Sequence, residues 1–255
     1  MTVALNPRIR VREAVPADTE AITNTMIDGF SVDAMNQLIY LIPLRGYCEK
    51  HSNGWESRHF RYHYPNGVAD ESRSKLAARL FSPIPPSEGE KLMMVAELLP
   101  EGSDGPGEIV AFSDWRLFRN PRAEEEWNVK EEPRTQEQLG EGCDVRVFNE
   151  FIGGLHRKRR EHMKGDPGLV LGTLVCQTNR QRLGAGKALL HWGTTLADEL
   201  GLPLFLESSP FGYDLFGAVK RQGQNWGELA ALELAGPPAK GCFRSTIMRR
   251  PAKSA

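Results

Sequence analysis

The chain has 255 residues, with 32 Lys and Arg against 33 Asp and Glu and a formal net charge of −1. That balance argues against a general nucleic-acid binder, which needs a basic surface. No apolar run approaches the roughly 20 residues that a bilayer span requires, and the opening MTVALNPRIRVRE has no apolar leader core, so a cytoplasmic protein with no membrane partner is expected. Cys48, Cys143, Cys176 and Cys242 are scattered, which predicts reduced thiols rather than a disulfide framework or zinc site. At this length a single domain over 1–255 is expected.

Taken in chain order, Ile9, Val11 and Val15 alternate with Arg10, Arg12 and Ala14, which predicts a first strand. Pro16-Ala17-Asp18 opens a helix with Asp18 and Glu20 in its first turn, where negative charge is favoured. Its buried stripe is Ile22, Met26, Ile27 and Phe30. Residues 31–90 read as a helical insertion, with Met35, Leu38, Ile39 and Ile42 on one helix and a second helix over 72–81 stopped by Pro83, Pro85 and Pro86. His59 and His63 stand four apart with His51 upstream, a spacing that can bind zinc. No second ligand set accompanies them, and no metal is assigned.

Lys91 to Leu98 and Glu108 to Phe118 predict two strands joined by a turn-forming glycine link. Residues 119–143 read as a polar surface excursion whose Glu124-Glu125-Glu126 run is a solvated face. Val145 to Met163 predicts a helix that carries the basic run Arg157 to Arg160. After 213–219, expected to be helical, Trp226 to Leu234 and Cys242 to Met248 predict two closing strands. There is no internal repeat and no Gly-x-Ser-x-Gly elbow, which disfavours a hydrolase triad.

The stretch from Gly168 to Tyr213 carries the chemistry. Leu169 to Val175 is a nearly unbroken apolar run, as expected of a strand covered on both faces. Leu189, Trp192, Leu196 and Leu200 then recur at helical spacing, and Leu204 to Ser208 makes a second short strand. Between them lies Gln181-Arg182-Leu183-Gly184-Ala185-Gly186. Gly184 and Gly186 keep side chains away from the backbone, and the first amides of a helix have no partner within it. Together with the helix dipole and the nearby Arg182 and Lys187, this predicts an anion site, most naturally for a phosphate or pyrophosphate. A P-loop would need Ser or Thr after Lys187 and a Gly at 181; the chain has Ala188 and Gln181. A dinucleotide fingerprint would need Gly at 189, which is Leu189.

Gln-x-x-Gly-x-Gly after a buried strand closely resembles the acyl-CoA signature of the GNAT superfamily of N-acyltransferases. The Leu-Leu, Trp-Gly and Ala-Asp of the helix and the Leu-Glu-Ser-Ser-Pro strand end are similar to that family too, most of all to its fungal branch. The resemblance is strong over 168–220, fair over 8–30 and 92–118, and weak elsewhere. It implies an α/β fold: a mixed, mostly antiparallel sheet of about seven strands flanked by helices, splayed between strands 4 and 5, with the helical insertion after the first helix.

It also implies that backbone groups of Leu174, Val175 and Cys176 hold pantetheine and the acyl carbonyl. The amides of Arg182, Leu183, Gly184, Ala185, Gly186 and Lys187 would hold the pyrophosphate, assisted by the side chains of Gln181 and Arg182. The implied activity is transfer of an acetyl group from acetyl-CoA to a primary amine of a small molecule, directly, in a ternary complex of a monomer or homodimer. Many members carry a Leu-Tyr pair whose Tyr protonates the thiolate; here the pair is Leu215-Phe216. Tyr213, one helical turn earlier, and Ser208 and Ser209 are the remaining hydroxyl candidates. Asp114 and Glu207 are the candidate bases, and Cys176 reads as a core thiol. The departures leave two alternatives: a biosynthetic enzyme on this fold with another acyl donor or another reaction, or an acyl-CoA-binding module without catalysis.

Overall fold

The computed structural model describes residues 6–30, 74, 77–102, 104–130, 132–136, 145–209, 212, 215, 226–235 and 242–253. In chain order these form β1 (Ile9–Glu13), α1 (Thr19–Phe30), β2 (Glu90–Leu98), β3 (Glu108–Phe118), α2 (Glu124–Trp127), α3 (Val145–Met163), β4 (Gly168–Cys176), α4 (Ala185–Glu199), β5 (Leu204–Ser208), β6 (Gly227–Ala235) and β7 (Cys242–Arg250). Short 3-10 turns cover Pro16–Asp18, Pro86–Glu88 and Thr178–Arg180. The expected insertion lies mostly outside the described residues. Its end, at 77–80, is helical, and Leu80 is buried with Met93, Val95 and Phe112.

The seven strands form one sheet in the order β1-β2-β3-β4-β5-β7-β6. Every neighbouring pair is antiparallel except β4 and β5, which is the mixed α/β fold expected. The α4 helix between those two strands is the crossover that a parallel pair requires. Leu189 and Leu190 of α4 share a core cluster with Trp115, Leu169, Leu171, Leu204 and Leu206. The opposite face receives α1 and α3. Ile22 packs with Met93, Val95, Phe112 and Val175, and Met163 packs with Val170 and Phe205.

Two features fix the frame. Arg12 on β1 donates to both carboxylate oxygens of Asp18 at 2.6 and 2.9 Å and to Glu97 on β2 at 2.9 Å, while Arg10 donates to Glu97 at 2.8 Å. The Arg12 hydrogen bond is the main reason the Asp18 carboxyl is held below its usual range. The second feature is the closeness of α4 to the sheet. A Cβ placed on Gly193 would stand 2.2 Å from the Trp115 ring, and Trp115 is fully buried with its indole N–H donated to Ser113 at 2.9 Å. Overpacked cores lose stability because neighbours leave their rotamers. Gly193→Ala is therefore expected to destabilise the protein by about 1–3 kcal/mol, measured by denaturant unfolding; an unchanged midpoint would contradict this packing.

Candidate active site

The site begins as a consequence of register. On β3, Phe112, Ser113 and Asp114 face Val175, Leu174 and Thr173 of β4, but the next residue, Trp115, faces Leu171. Gly172 is the extra residue, a β-bulge, and bulges bend the strand that carries them. On the other side of β4, pairing with β5 runs from Leu169↔Leu204 to Leu171↔Leu206 and then stops. Beyond Leu171, β4 keeps β3 as a neighbour and loses β5, which stays with β7 as far as Ser208↔Thr246. The two central strands thus part at the bulge. The edge of β4 from Gly172 to Cys176 has no β5 partner, and Leu174, Val175 and Cys176 lie along it.

A polar row crosses the sheet at the point of parting. Asp114 lies two residues from Phe112, Thr173 two from Val175, and Glu207 two from Phe205, so all three belong to the face covered by α1 and α3. Phe112 and Val175 flank the row on one side along the strands, and Arg116, Val170 and Phe205 on the other. Asp114 and Thr173 are paired neighbours, one strand spacing of about 4.8 Å apart, and Glu207 stands across the β4–β5 gap from Thr173.

The two carboxylates differ. Glu207 has a side chain only 9% exposed and accepts two hydrogen bonds from Arg159 of α3, at 3.0 and 2.7 Å. This bidentate clamp ties β5 to α3. Asp114 takes a bond from Arg116, to Oδ1 at 2.6 Å, and one from the Trp115 backbone amide. Burial raises the Asp114 carboxyl above its usual range, against the opposing charges of Arg116 and Lys91. Its Oδ2 lies toward the bulge: a Cβ on Gly172 would stand 3.9 Å from it. Asp114 is thus a buried carboxyl with raised proton affinity beside the bulge, and Glu207 is fixed by Arg159. Lys91 of β2, facing Arg116 across the β2–β3 ladder, donates to the carbonyls of Leu80 and Arg79.

The glycine turn sits at the open end of β4. Gly184 has φ 92° and Arg182 φ 64°, the left-handed region that suits glycine and strains Arg182. No side chain caps α4. Its first ladder bond is Ala188 N–H to the Gly184 carbonyl at 2.9 Å, so the amides before Ala188 are not engaged in that ladder. A Cβ on Gly184 would meet only Asn6, at 3.6 Å, whereas one on Gly186 would lie 3.4 Å from both Cys176 Sγ and Leu174. Gln181 and Arg182 are exposed, Leu183 and Lys187 are half-buried, and Ala185 is buried. The turn is thus open above Gly184 and packed beneath Gly186.

Other residues brace this arrangement, and nothing in their local pattern announces it. Asn6 donates to the Leu183 carbonyl at 2.9 Å. Asp28 near the end of α1 accepts the Thr178 amide at 2.6 Å and its hydroxyl at 3.0 Å, and Gln177 donates to Thr25 at 3.2 Å and to the Ile109 carbonyl at 2.8 Å. A Cβ on Gly29 would fall 2.6 Å from the Cys176 carbonyl oxygen, so α1 approaches β4 at glycine-only distance. Of the hydroxyl candidates, Ser208 donates to the Ser209 carbonyl at 2.9 Å, and Ser209 Oγ accepts the Gly212 amide at 3.3 Å. Tyr213 and Phe216 lie outside the described residues, as do His51, His59 and His63. Among the described residues no group of His, Cys, Asp and Glu is arranged to hold a metal, and no helix is long and apolar enough to cross a membrane. In the basic run of α3, Lys158 pairs with Glu161, Arg159 with Glu207, and Arg160 donates to the Val129 carbonyl.

No family model and no curated protein matches the sequence. Solved structures do match. The crystal structure of histone acetyltransferase HPA2 and related acetyltransferase from Corynebacterium glutamicum is 18% identical, with 97% of this chain and 98% of that one covered and a TM-score of 0.55. The apo form of an agmatine N-acetyltransferase is 12% identical, with 95% and 99% covered and a TM-score of 0.52. At this identity they establish the architecture: the chain has the fold of the GNAT acetyltransferases.

Burial pushes the Cys176 thiol up to about 11, with the Gly186 amide opposing the shift. The thiolate therefore forms only at strongly alkaline pH, which disfavours an acyl-cysteine route. Against an ordinary value of 9.0, two units mean about a hundredfold less thiolate at pH 8. Peptide mapping after iodoacetamide treatment should find Cys176 nearly unmodified at pH 8 and increasingly alkylated as pH nears 11; rapid alkylation at pH 8 would refute the burial argument.

Proposed function

We propose that the protein is an N-acetyltransferase that moves an acetyl group from acetyl-CoA to a primary amine of a small molecule in a ternary complex. The observation that carries the reading is the coincidence of two features at one end of β4. An edge freed from β5 meets a helix N-terminus whose first amides lie outside the α4 ladder. The strand edge of Leu174, Val175 and Cys176 suits the amide groups of a pantetheine arm. The amides of Arg182 to Lys187 other than Gly186, whose N–H is directed to the Cys176 sulfur, suit a diphosphate together with the side chains of Gln181, Arg182 and Lys187. The open space above Gly184 is what such a ligand needs.

Acetyl-CoA supplies an acyl thioester with a tolerable leaving group. The protein's part is positioning and proton handling. The amine nitrogen lies over the polar row, within reach of Asp114. As nitrogen bonds the carbonyl carbon and the carbon–sulfur bond breaks, Asp114 takes the amine proton, directly or through water. Its raised proton affinity suits it to that role, while both oxygens of Glu207 are taken by Arg159. Proton return to the departing sulfur falls to Tyr213 by sequence neighbourhood. It stands two residues before Leu215, whose methyl would lie 3.6 Å from a Cβ on Gly186. Ser209 remains a second hydroxyl source.

Calorimetric titration with acetyl-CoA tests the donor site. Wild type should bind, and Gly184→Glu should abolish binding, while Gly184→Ala, with the same backbone strain but no added charge, should keep part of it. No binding by wild type at millimolar ligand would overturn the reading. With a competent amine, Asp114→Asn should lower kcat/KM by roughly a hundredfold or more. A loss below about threefold would remove Asp114 from the role of base.

A further inference from the structure

The charges around the polar row carry an inference about the acceptor itself, one that rests on the acetyltransferase reading and narrows it. Arg116 stands one row from Asp114 on the same strand face, level with Lys91 on β2 and Val170 on β4. Its described hydrogen bonds, to Asp114 Oδ1 and the Trp115 carbonyl, both leave from Nη1. A guanidinium has five N–H groups in a planar fork, so the Nε and Nη2 side of Arg116 has no partner among the described residues. These atoms are also not among the buried unsatisfied ones, so they open to solvent, and the Arg116 side chain is 22% exposed.

The two ion pairs differ in exposure: the Arg116 and Asp114 side chains are 22% and 20% exposed. In the Arg159–Glu207 pair the guanidinium side chain is 31% exposed and the carboxylate 9%. The arginine is the outer member and the carboxylate the inner one. On the β2–β3 side, Asp114 is flanked by two cations, Arg116 and Lys91, and Glu88 offsets the Lys91 charge, so what stands open is the fork of Arg116. An amine with no other charge would leave that fork unused, and a diamine would bring a second cation to it. An acceptor with a carboxylate of its own would use it: its anionic end meets the open fork of Arg116 while its amine reaches the Asp114–Thr173–Glu207 row. The fork side of a guanidinium matches a carboxylate in two parallel hydrogen bonds, which a lone ammonium does not.

We propose that the acceptor is a small zwitterion, an amino acid in the broad sense, whose carboxylate is held by the free edge of the Arg116 guanidinium beside Lys91 while its amine is presented to Asp114. The bond chemistry is that of the transfer already described; the carboxylate takes no part in it. Arg116 is thus a specificity residue, acting on substrate choice through a direct contact.

The test compares matched pairs on the intact protein: α- and ω-amino acids against the alkylamines that lack only the carboxylate, together with a diamine. For wild type, the kcat/KM of the preferred amino acid should exceed that of its alkylamine by roughly tenfold to a hundredfold, the range of a charged hydrogen-bonded contact. The difference should lie mainly in KM. In Arg116→Gln that ratio should fall toward one, whatever common change in kcat follows from the loss of Asp114's partner. Arg116→Lys, which keeps the charge and loses the fork, should fall between. An alkylamine or diamine acetylated as well as or better than its amino acid by wild type overturns the zwitterion assignment and leaves the acetyltransferase reading standing. That comparison needs no variant to fold. Acetyl-CoA binding without acetylation of any amine in the panel overturns both.

Discussion

The arrangement depends on one constraint: a β-strand can satisfy two neighbours only while all three keep step. β4 is in step with β3 and β5 as far as Leu171. The extra residue at Gly172 breaks the alternation with β3 and turns the rest of β4 away from β5. The cost of the opening is that, among the described residues, no strand pairs with the β5-facing edge of β4 from Gly172 to Cys176. Buried backbone groups without partners are rare, so such an edge is tolerated where solvent or a ligand fills the gap. β5 follows β7, and α4 keeps its own axis because Gly193 lets it settle onto Trp115. The gap is therefore held from both sides by packing rather than left as a loose end.

The electrostatics follow from the same geometry. Asp114, Thr173 and Glu207 stand in a row at the parting, between Phe112 and Val175 on one side and Arg116, Val170 and Phe205 on the other. A carboxylate there loses hydration and has to be compensated. Glu207 is compensated fully, by two bonds from Arg159. Asp114 is bonded by Arg116 and by the Trp115 amide, yet burial outweighs both and raises its proton affinity. The clamp makes Glu207 an anchor for α3; burial leaves Asp114 a group that can accept a proton. Cys176 lies along the same open edge, yet burial keeps its sulfur protonated and inert. Three groups near one cleft are set to different tasks by how completely each is satisfied.

Much of the fold is legible along the chain because its periods are unambiguous. The apolar run of Leu169 to Val175 becomes β4, Val145 to Met163 is helical over its full predicted length, and the two strands around the glycine link are β2 and β3. The glycine turn was legible because Gly184 and Gly186 have few other uses at the head of a helix. Asp114 and Glu207 were named from the strands that carry them, and the structure puts both on one face. What the sequence hid is long-range. The bulge depends on which β3 residue faces which β4 residue, and Gly172 looks like any strand glycine. Asp28 with Thr178 and Asn6 with Leu183 join residues 150 and 177 positions apart, and no local pattern encodes such pairs. The basic run Arg157 to Arg160 shows no partner along the chain, yet Arg159 is bound to Glu207 48 positions away. Charge alone does not disclose a partner supplied by the fold.

The central claim is that the open edge of β4 and the amides ahead of α4 form one continuous binding surface. A crystal structure of the protein soaked with acetyl-CoA measures this most directly. The account predicts the diphosphate within hydrogen-bonding distance of the amides between Arg182 and Lys187, with the pantetheine arm running along Leu174 to Cys176 and the thioester ending beside Asp114. A ligand bound elsewhere, or a β4–β5 gap closed around protein side chains at saturating acetyl-CoA, would contradict it.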